Sequence, residues 1–146
     1  SFETDLHNLE ARTKKDGIGI VIADLNSLKL VNDRLGHSTG DVFILTAARA
    51  IQSAVTKNST AYRLGGDEFV ILFRDTDDGE MKSFIENVNR RLKELSAELA
   101  LEIPLSLSIG YELFHPEKDN NLKDLFKRAD AAMYRQKKEF HENEAL

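Results

Sequence analysis

The sequence predicts an α+β domain in which helices pack on a four-stranded antiparallel sheet. Short apolar runs typical of strands alternate with stripes at helical spacing, and their order is βαββαβ with a further helix at each end. Two of the strand-like segments are separated only by Gly65-Gly66-Asp67-Glu68, which indicates a hairpin. Together these observations predict the ferredoxin-like, palm-type fold, whose usual strand order is 4-1-3-2.

The opening of the chain predicts a short helix followed by a buried strand. Phe2, Leu6 and Leu9 recur at helical spacing. Residues 17–23 form a nearly unbroken β-branched run, which predicts a buried strand that ends at Asp24. Neither a repeat nor a Pro/Gly-rich linker follows, so residues 1–146 are predicted to form a single domain.

Two helices are predicted between this strand and the next. Ser27 can cap a short helix, which Gly36 ends. Asp41 is expected to open a longer helix. The residues expected on the inner face of that longer helix are Ile44, Leu45, Ala48, Ile51 and Val55.

The second half of the chain predicts the remaining three strands and two helices. Residues 60–64 and 69–74 are the strands of the hairpin. A long helix follows Asp77, because apolar residues continue at helical spacing beyond it. A strand is expected to begin at Pro104, and Asn121 is expected to cap the last helix.

Three carboxylates from distant parts of the chain are predicted to meet at one edge of this sheet. In the order 4-1-3-2 the end of strand 1, at Asp24, lies beside the start of strand 3, at Asp67 and Glu68. Such charges repel one another unless a cation lies between them. Hard oxygen donors in a chain without cysteine favour Mg²⁺ or Mn²⁺. By analogy with polymerase palm domains, nucleotidyl transfer is the expected reaction class.

A simpler interpretation of the same residues is structural. Asp24 could merely end a strand, while Asp67 and Glu68 decorate a turn. The neighbouring Gly65-Gly66 favours a site instead, because a backbone without side chains allows close approach of a ligand.

Composition limits the partners of this domain. The net charge of -5 argues against binding to nucleic acid or to an anionic membrane surface. The chain has no cysteine and no apolar run long enough to span a bilayer, so we expect a cytoplasmic domain without membrane contact of its own. The first residue is not methionine, so the chain is expected to be part of a longer protein, which could itself be membrane-anchored.

Four ordered blocks of sequence resemble the GGDEF family of diguanylate cyclases. The blocks are residues 24–33 (DLNSLKLVND, followed by Gly36-His37 and Gly40-Asp41), 63–69 (RLGGDEF), 106–110 (SLSIG) and 129–134 (ADAAMY). The resemblance covers nearly the whole chain in the right order and spacing. It implies an enzyme that condenses two GTP molecules into cyclic di-GMP and pyrophosphate.

The resemblance also implies the metal-binding and catalytic residues. Asp24, Asp67 and the backbone carbonyl of Leu25 would bind Mg²⁺ or Mn²⁺, with two ions in each active site. Asp67 would be essential for turnover, and Glu68 would assist at the metals. Lys29 would steady the charge that develops on the phosphates during attack.

The phosphates and the base of GTP would be held by separate groups. The amides of Ser27 and Leu28 open a helix, and a helix N-terminus is suited to phosphate. Gly65 and Gly66 would lie against the substrate, and Lys137 would reach its terminal phosphates.

Guanine would be recognised at the next turn of the chain. The resemblance assigns its edge to Asn32 and Asp41, with His37 nearby. The alternative is that both residues have only structural roles: Asn32 would end its helix, and Asp41 would cap the following one.

The sequence departs from the usual family pattern at several positions. Asn26 stands where a second aspartate is frequent, and His141 where an arginine often helps to hold phosphate. The family's segment upstream of the first helix is also missing, so an upstream sensory domain is expected.

Catalysis would require a homodimer, because each domain holds one GTP. The alternatives are a module that senses GTP or cyclic di-GMP without turnover, and a cyclase of different base preference.

Overall fold

The computed structural model describes residues 1–144, and within them five helices and four strands follow one another along the chain. Their bounds are α1 Phe2–Glu10, β1 Gly19–Leu25, α2 Leu28–Leu35, α3 His37–Ala54, β2 Ser59–Arg63, β3 Glu68–Phe73, α4 Asp78–Leu99, β4 Leu107–Leu113 and α5 Leu122–Glu144. None of these helices is both long and apolar enough to cross a membrane.

The four strands form one antiparallel sheet in the order β2-β3-β1-β4. This confirms the predicted order 4-1-3-2. The first strand is therefore central, with β3 on one side and β4 on the other. In this register Asp24, near the end of β1, lies opposite Glu68 of β3 and Ser108 of β4.

Each face of the sheet is covered by its own set of helices, because successive side chains of a strand point to opposite faces. Val21, Ala23 and Leu25 of β1 pack into the core shared with α2, α3 and α4. Ile20 and Ile22 pack into the core shared with α1 and α5. The alternation places Asp24 on the same face as these two isoleucines, under α5.

The corner between β1 and α3 differs from its prediction at two residues. Ser27 precedes α2 in a left-handed conformation with φ of 65°, whereas a capping residue normally has an extended backbone. Its side chain therefore bonds no amide of α2 in the described chain. Its backbone carbonyl does bond to the helix, because it accepts a hydrogen bond from Val31 N at 2.9 Å. Ser27 therefore precedes α2 as predicted, but its side chain does not cap the helix.

The longer helix begins at His37, not at Asp41, because Gly36 turns the chain between α2 and α3 with φ of 88°, a value open to glycine. The predicted inner face of α3 was also displaced by one residue. Leu45 is 52% exposed, and Ile44 and Ala48 lie at the margin of the core. The residues that α3 buries are Gly40, Phe43, Thr46, Ala47, Ala50, Ile51 and Ala54.

Later boundaries agree more closely with the prediction. Asp77 caps α4 by accepting a hydrogen bond from Glu80 N at 2.8 Å, and Asn121 accepts one from Asp124 N at 2.9 Å. The last strand begins at Leu107, three residues later than predicted. Pro104 lacks a backbone N–H for the sheet and lies in the approach to the strand.

Gly110 of β4 allows the last helix to lie directly on the sheet. A Cβ at this position would stand 2.0 Å from the backbone nitrogen of Met133 and 2.6 Å from the carbonyl oxygen of Ala129. Both atoms belong to the backbone of α5, so they cannot move aside as a side chain could. The position of α5 over β1 therefore depends on this glycine.

We predict that Gly110→Ala lowers the free energy of unfolding by about 1–3 kcal/mol, because the added carbon forces α5 away from the sheet. Thermal or urea denaturation measures the change. The matched control is Gly65→Ala, where no described atom lies within 4 Å of the added carbon. Equal stability of the two variants would contradict this packing argument.

Candidate active site

The end of β1 and the start of β3 form the floor of the candidate site. Asp24 is paired with Glu68 across the two strands, and Leu25 N donates to the carbonyl of Asp67 at 3.0 Å. The structure thus brings Asp24 together with Asp67 and Glu68, which follow it by 43 and 44 residues in the sequence. Asp67 and Glu68 remain partly accessible, as a site that meets solvent requires.

Lys137 of α5 supplies a positive charge at this edge. Its Nζ donates to Asp24 Oδ2 at 2.9 Å and to the carbonyl of Leu25 at 3.1 Å. The side chains of Lys137 and Asp24 are only 21% and 15% exposed. Two of the three groups that the resemblance assigns to a metal therefore already accept hydrogen bonds from one ammonium group.

The other oxygen of the Asp24 carboxylate has no hydrogen-bond partner among the described residues, although it is buried. Burial raises the pKa of Asp24; Lys137 opposes this rise, and the neighbouring Asp67 adds to it. A cation beside Oδ1 would offset both the burial and the repulsion. The unpaired oxygen is thus a direct indication that this carboxylate fits a metal ion.

Glu68 lies in the same negative field. Burial raises its pKa, and Asp130, Asp24 and Asp67 raise it further, while Lys137 lowers it. Within residues 1–144 no three acidic or histidine side chains are arranged to hold a metal by themselves. The donors that fit Mg²⁺ or Mn²⁺ are instead the carboxylates of Asp24 and Asp67 with the Leu25 carbonyl. Magnesium commonly completes such a partial set with water and phosphate oxygens.

The glycine turn of the hairpin is held from one side and open on the other. The Arg63 side chain donates from Nε to the carbonyl of Gly65 at 3.0 Å and from Nη2 to the carbonyl of Gly66 at 2.8 Å. Neither glycine has a positive φ, and no described atom lies within 4 Å of a Cβ built on either. The protein's own packing therefore does not require glycine here, whereas close approach of a ligand would.

The amides at the start of α2 face the same end of β1. Ser27 is half-buried, and its hydroxyl lies 3.4 Å from a carboxylate oxygen of Glu144 in α5. Leu28 packs against the core that β1 shares with α2, α3 and α4, and the neighbouring Lys29 is exposed. The three free amides of the first turn could bind phosphate, as the sequence suggested.

The predicted guanine-binding residues meet where α2 packs on α3. A Cβ on Gly40 would stand 1.8 Å from Asn32 Oδ1, so the Asn32 side chain lies directly across this glycine. Asp41 is the next residue of α3 and is exposed, as is His37 one turn earlier. Because α3 begins at His37, Asp41 is not its capping residue, and this removes the structural explanation for Asp41.

A cleft of about 480 Å³ lies along the last turns of α5 beside Lys137. Its lining residues are Tyr134, Lys137, Lys138, His141 and Glu142. His141, at the position where the family often has a phosphate-binding arginine, lines this cleft with Lys137.

Three neighbours of the site were not assigned a role from the sequence. Asp130 is seven residues before Lys137 and so lies two turns away on the same side of α5, a spacing that could have revealed it. Arg63 and Ser108 gave no such signal, because their contacts depend on how β2 and β4 pair with their neighbours.

Comparison with known proteins identifies the family of this chain. Residues 1–143 match the family described as "Diguanylate cyclase, GGDEF domain". The match covers nearly the whole chain and so defines the class of protein. The chain belongs to the GGDEF-domain family of diguanylate cyclases.

Curated relatives extend well beyond this domain. The bifunctional diguanylate cyclase/cyclic di-GMP phosphodiesterase MucR of Pseudomonas aeruginosa is 34% identical over 118 residues, which are 81% of this chain and 17% of MucR. Diguanylate cyclase DosC of Escherichia coli K12 is 32% identical over 121 residues, 80% of this chain and 25% of DosC. The chain thus spans a quarter or less of the length of these two relatives.

Solved structures show the same fold. The GGDEF domain of YfiN from Pseudomonas aeruginosa aligns with a TM-score of 0.76 and 28% identity, covering 94% of this chain and 88% of that domain. The active GGEEF domain of a diguanylate cyclase from Vibrio cholerae aligns with a TM-score of 0.76 and 28% identity, covering 90% of this chain and 85% of that one.

We predict that Lys137→Met destabilises the metal-free protein in a pH-dependent way. Loss of the ammonium raises the pKa of Asp24 further, so the folded state retains a proton that the unfolded chain releases. The free energy of unfolding should therefore fall, relative to the unmodified protein, as pH rises above the ordinary carboxyl value of 3.8. At pH 7 the loss should be about 1–3 kcal/mol, because the pair is only partly exposed.

Thermal denaturation in EDTA between pH 4 and 7 measures this effect. Lys138→Met, which removes an exposed charge from the adjacent position, is the control. A loss of stability that is the same at every pH would contradict the pairing of Lys137 with Asp24.

Proposed function

We propose that this domain synthesises cyclic di-GMP from two molecules of GTP. The observation that carries the proposal is the set of oxygens at the end of β1. Asp24 Oδ2 and the Leu25 carbonyl both accept from the Lys137 ammonium, while Asp24 Oδ1 is buried and has no partner within residues 1–144. This set lies beside an open glycine hairpin and a helix N-terminus, the parts that a bound nucleoside triphosphate requires.

Each half-reaction forms one bond and breaks one. The 3′-hydroxyl oxygen of one GTP bonds to the α-phosphorus of the other, and the bond from that phosphorus to the β-phosphate bridging oxygen breaks to release pyrophosphate. Asp67 accepts the hydroxyl proton. When bound, Mg²⁺ or Mn²⁺ lowers the pKa of the hydroxyl and screens the phosphate charge.

The residues of this chain orient the triphosphate around that reaction. The amides of Ser27 and Leu28 and the turn at Gly65-Gly66 hold phosphate oxygens. Lys29 and Lys137 offset the charge that accumulates on them, and Glu68 supports the same site. For this purpose Lys137 moves its ammonium from Asp24 to the phosphate, an exchange of one anionic partner for another.

The base is held away from the reacting phosphate, between α2 and α3. Asp41 accepts both donors of the guanine edge, N1–H and the exocyclic amine. Asn32 adds a hydrogen bond from its position across Gly40, with His37 beside it. Adenine offers no matching pair of donors to a carboxylate, which selects for GTP.

Catalysis by this arrangement requires two copies of the domain. One copy binds one GTP, so a homodimer must bring two substrates together in antiparallel orientation, with two metal ions in each active site. We propose that a domain upstream of this chain controls that dimerisation in response to a signal, and that the domain itself acts in the cytoplasm.

The proposal is tested by incubating concentrated protein with GTP and Mg²⁺ and analysing the products. We expect cyclic di-GMP and pyrophosphate in a ratio of one to two. A module that only senses nucleotide would bind GTP and leave it unchanged, and this result would refute the proposed reaction.

We predict that Asp67→Asn lowers the rate of cyclic di-GMP formation by on the order of 100-fold or more, because it removes both a metal-binding charge and the acceptor of the hydroxyl proton. Its melting temperature should change little, since Asp67 lies in a partly accessible turn. The matched control is Asp16→Asn, which removes an exposed carboxylate from the loop before β1. Near-normal turnover by the Asp67 variant would exclude this role.

We predict that Asp41→Ser relaxes the choice of base while metal binding through Asp24 and Asp67 is retained. Each polar group that is left unpaired or faces a like group costs roughly 1–3 kcal/mol, so the unmodified protein should prefer GTP by about tenfold to a few hundredfold. Mass spectrometry of products from equimolar GTP and ATP measures the preference, with Asp16→Ser as the charge control. A largely adenine-containing product from the unmodified protein would overturn the assignment of Asp41.

A further inference from the structure

Asn26 connects the end of β1 to β4 through a buried set of hydrogen bonds. Only 2% of this residue is exposed. Its backbone N donates to the carbonyl of Ser106 at 3.0 Å, and its Nδ2 donates to Ser106 Oγ at 3.0 Å. Its Oδ1 accepts from Ser108 Oγ at 2.7 Å, and Ser108 is fully buried.

The residues on either side of Asn26 are the ones that the proposed reaction needs to hold still. Before it stands Leu25, whose carbonyl belongs to the cation site. After it stands Ser27, in a left-handed conformation that an L-residue adopts at a cost of about 1–3 kcal/mol. Such a conformation persists only where neighbouring contacts determine it. The three bonds of Asn26 add to the bonds that Ser27 itself makes with Val31 N and Glu144, and they fix the residue that precedes it.

We infer that Asn26 is a positioning residue, which ties the turn between β1 and α2 to β4 and so aims the Leu25 carbonyl and the first amides of α2 at the substrate. The inference rests on the proposed function for the identity of that substrate. Asn26 itself touches neither nucleotide nor metal. It acts through the backbone on both sides of it.

The same bonds leave Asp24 available to a cation. Ser108 lies directly opposite Asp24 in the pairing of β1 with β4, yet its hydroxyl donates to Asn26. The buried oxygen of Asp24 has no partner among the described residues. By accepting this hydrogen bond, Asn26 engages the hydroxyl of the residue that is paired with Asp24 across the two strands.

An amide suits this position because it donates on one side and accepts on the other. Asn26 Nδ2 donates a hydrogen bond to Ser106 Oγ, while Asn26 Oδ1 accepts one from Ser108 Oγ. A carboxylate could make only the second bond without reversing the Ser106 hydroxyl, and it would add a buried negative charge two residues from Asp24.

Two variants remove the network from opposite ends. Asn26→Ala loses both side-chain bonds of Asn26, whereas Ser108→Ala loses only the bond between Ser108 Oγ and Asn26 Oδ1. Because alanine is close to serine in size, Ser108→Ala can be measured even if Asn26→Ala is too unstable. The matched control is Asn58→Ala, because Asn58 Nδ2 donates to the carbonyl of Arg74 at 2.9 Å at the opposite end of the sheet. It therefore loses a comparable side-chain bond away from the site.

Hydrogen exchange of the hydrogen-bonded amides of Leu25, Asn26 and Val31, in and beside the turn, tests the positioning directly, without nucleotide. We expect exchange at these amides to be about tenfold or more faster in Asn26→Ala and Ser108→Ala, because bonds to the turn are lost. In Asn58→Ala it should be unchanged. Equal protection of the turn in all four proteins would overturn the inference, whether or not the domain proves to be a cyclase.

Steady-state kinetics separates positioning from a general loss of stability. Asn26→Ala should raise KM for GTP by about tenfold, while kcat falls by less than about threefold, because the turn holds substrate and transition state alike. The double variant Asn26→Ala/Ser108→Ala should be no worse than Asn26→Ala, since both remove the same bond. A fall confined to the melting temperature, with KM unchanged, would show that the network is only structural. Absence of product from the unmodified protein would instead refute the proposed reaction.

Discussion

The ion pair between Lys137 and Asp24 joins the first strand to the last helix across 113 residues of sequence. It follows from the alternation of β1, which buries Ile20 and Ile22 under α5 and so places Asp24 there as well. A carboxylate in that position is partly desolvated and faces Asp67. It therefore needs a positive charge, and the surrounding structure supplies one from α5.

The same need explains why the site is both costly and useful. The buried oxygen of Asp24, the raised pKa of Glu68 and the left-handed Ser27 each oppose folding. The apolar cores on the two faces of the sheet offset these terms, and Gly110 allows α5 to approach closely enough to present Lys137. A nucleotide with its metal ion would satisfy the oxygens that folding alone leaves poorly paired.

Much of this arrangement could be predicted because it depends on periodicity. The βαββαβ order of the predicted elements and the short glycine turn were enough to predict the strand order, and that order brought Asp24 beside Glu68. The start of α3 was missed because Gly36 both ends one helix and begins the next. The bonds of Asn26, Arg63 and Lys137 could not be predicted, since they depend on side-chain directions that are fixed only when the sheet and α5 have packed.

The anomalous X-ray signal of Mn²⁺ in crystals grown with a non-hydrolysable GTP analogue tests the cation site most directly. We expect the ion to lie against the carboxylates of Asp24 and Asp67 and the carbonyl of Leu25. Lys137 Nζ should then have left Asp24 for a phosphate oxygen. Mn²⁺ bound elsewhere, beside an intact bond between Lys137 and Asp24, would contradict the proposed role of this edge of the sheet.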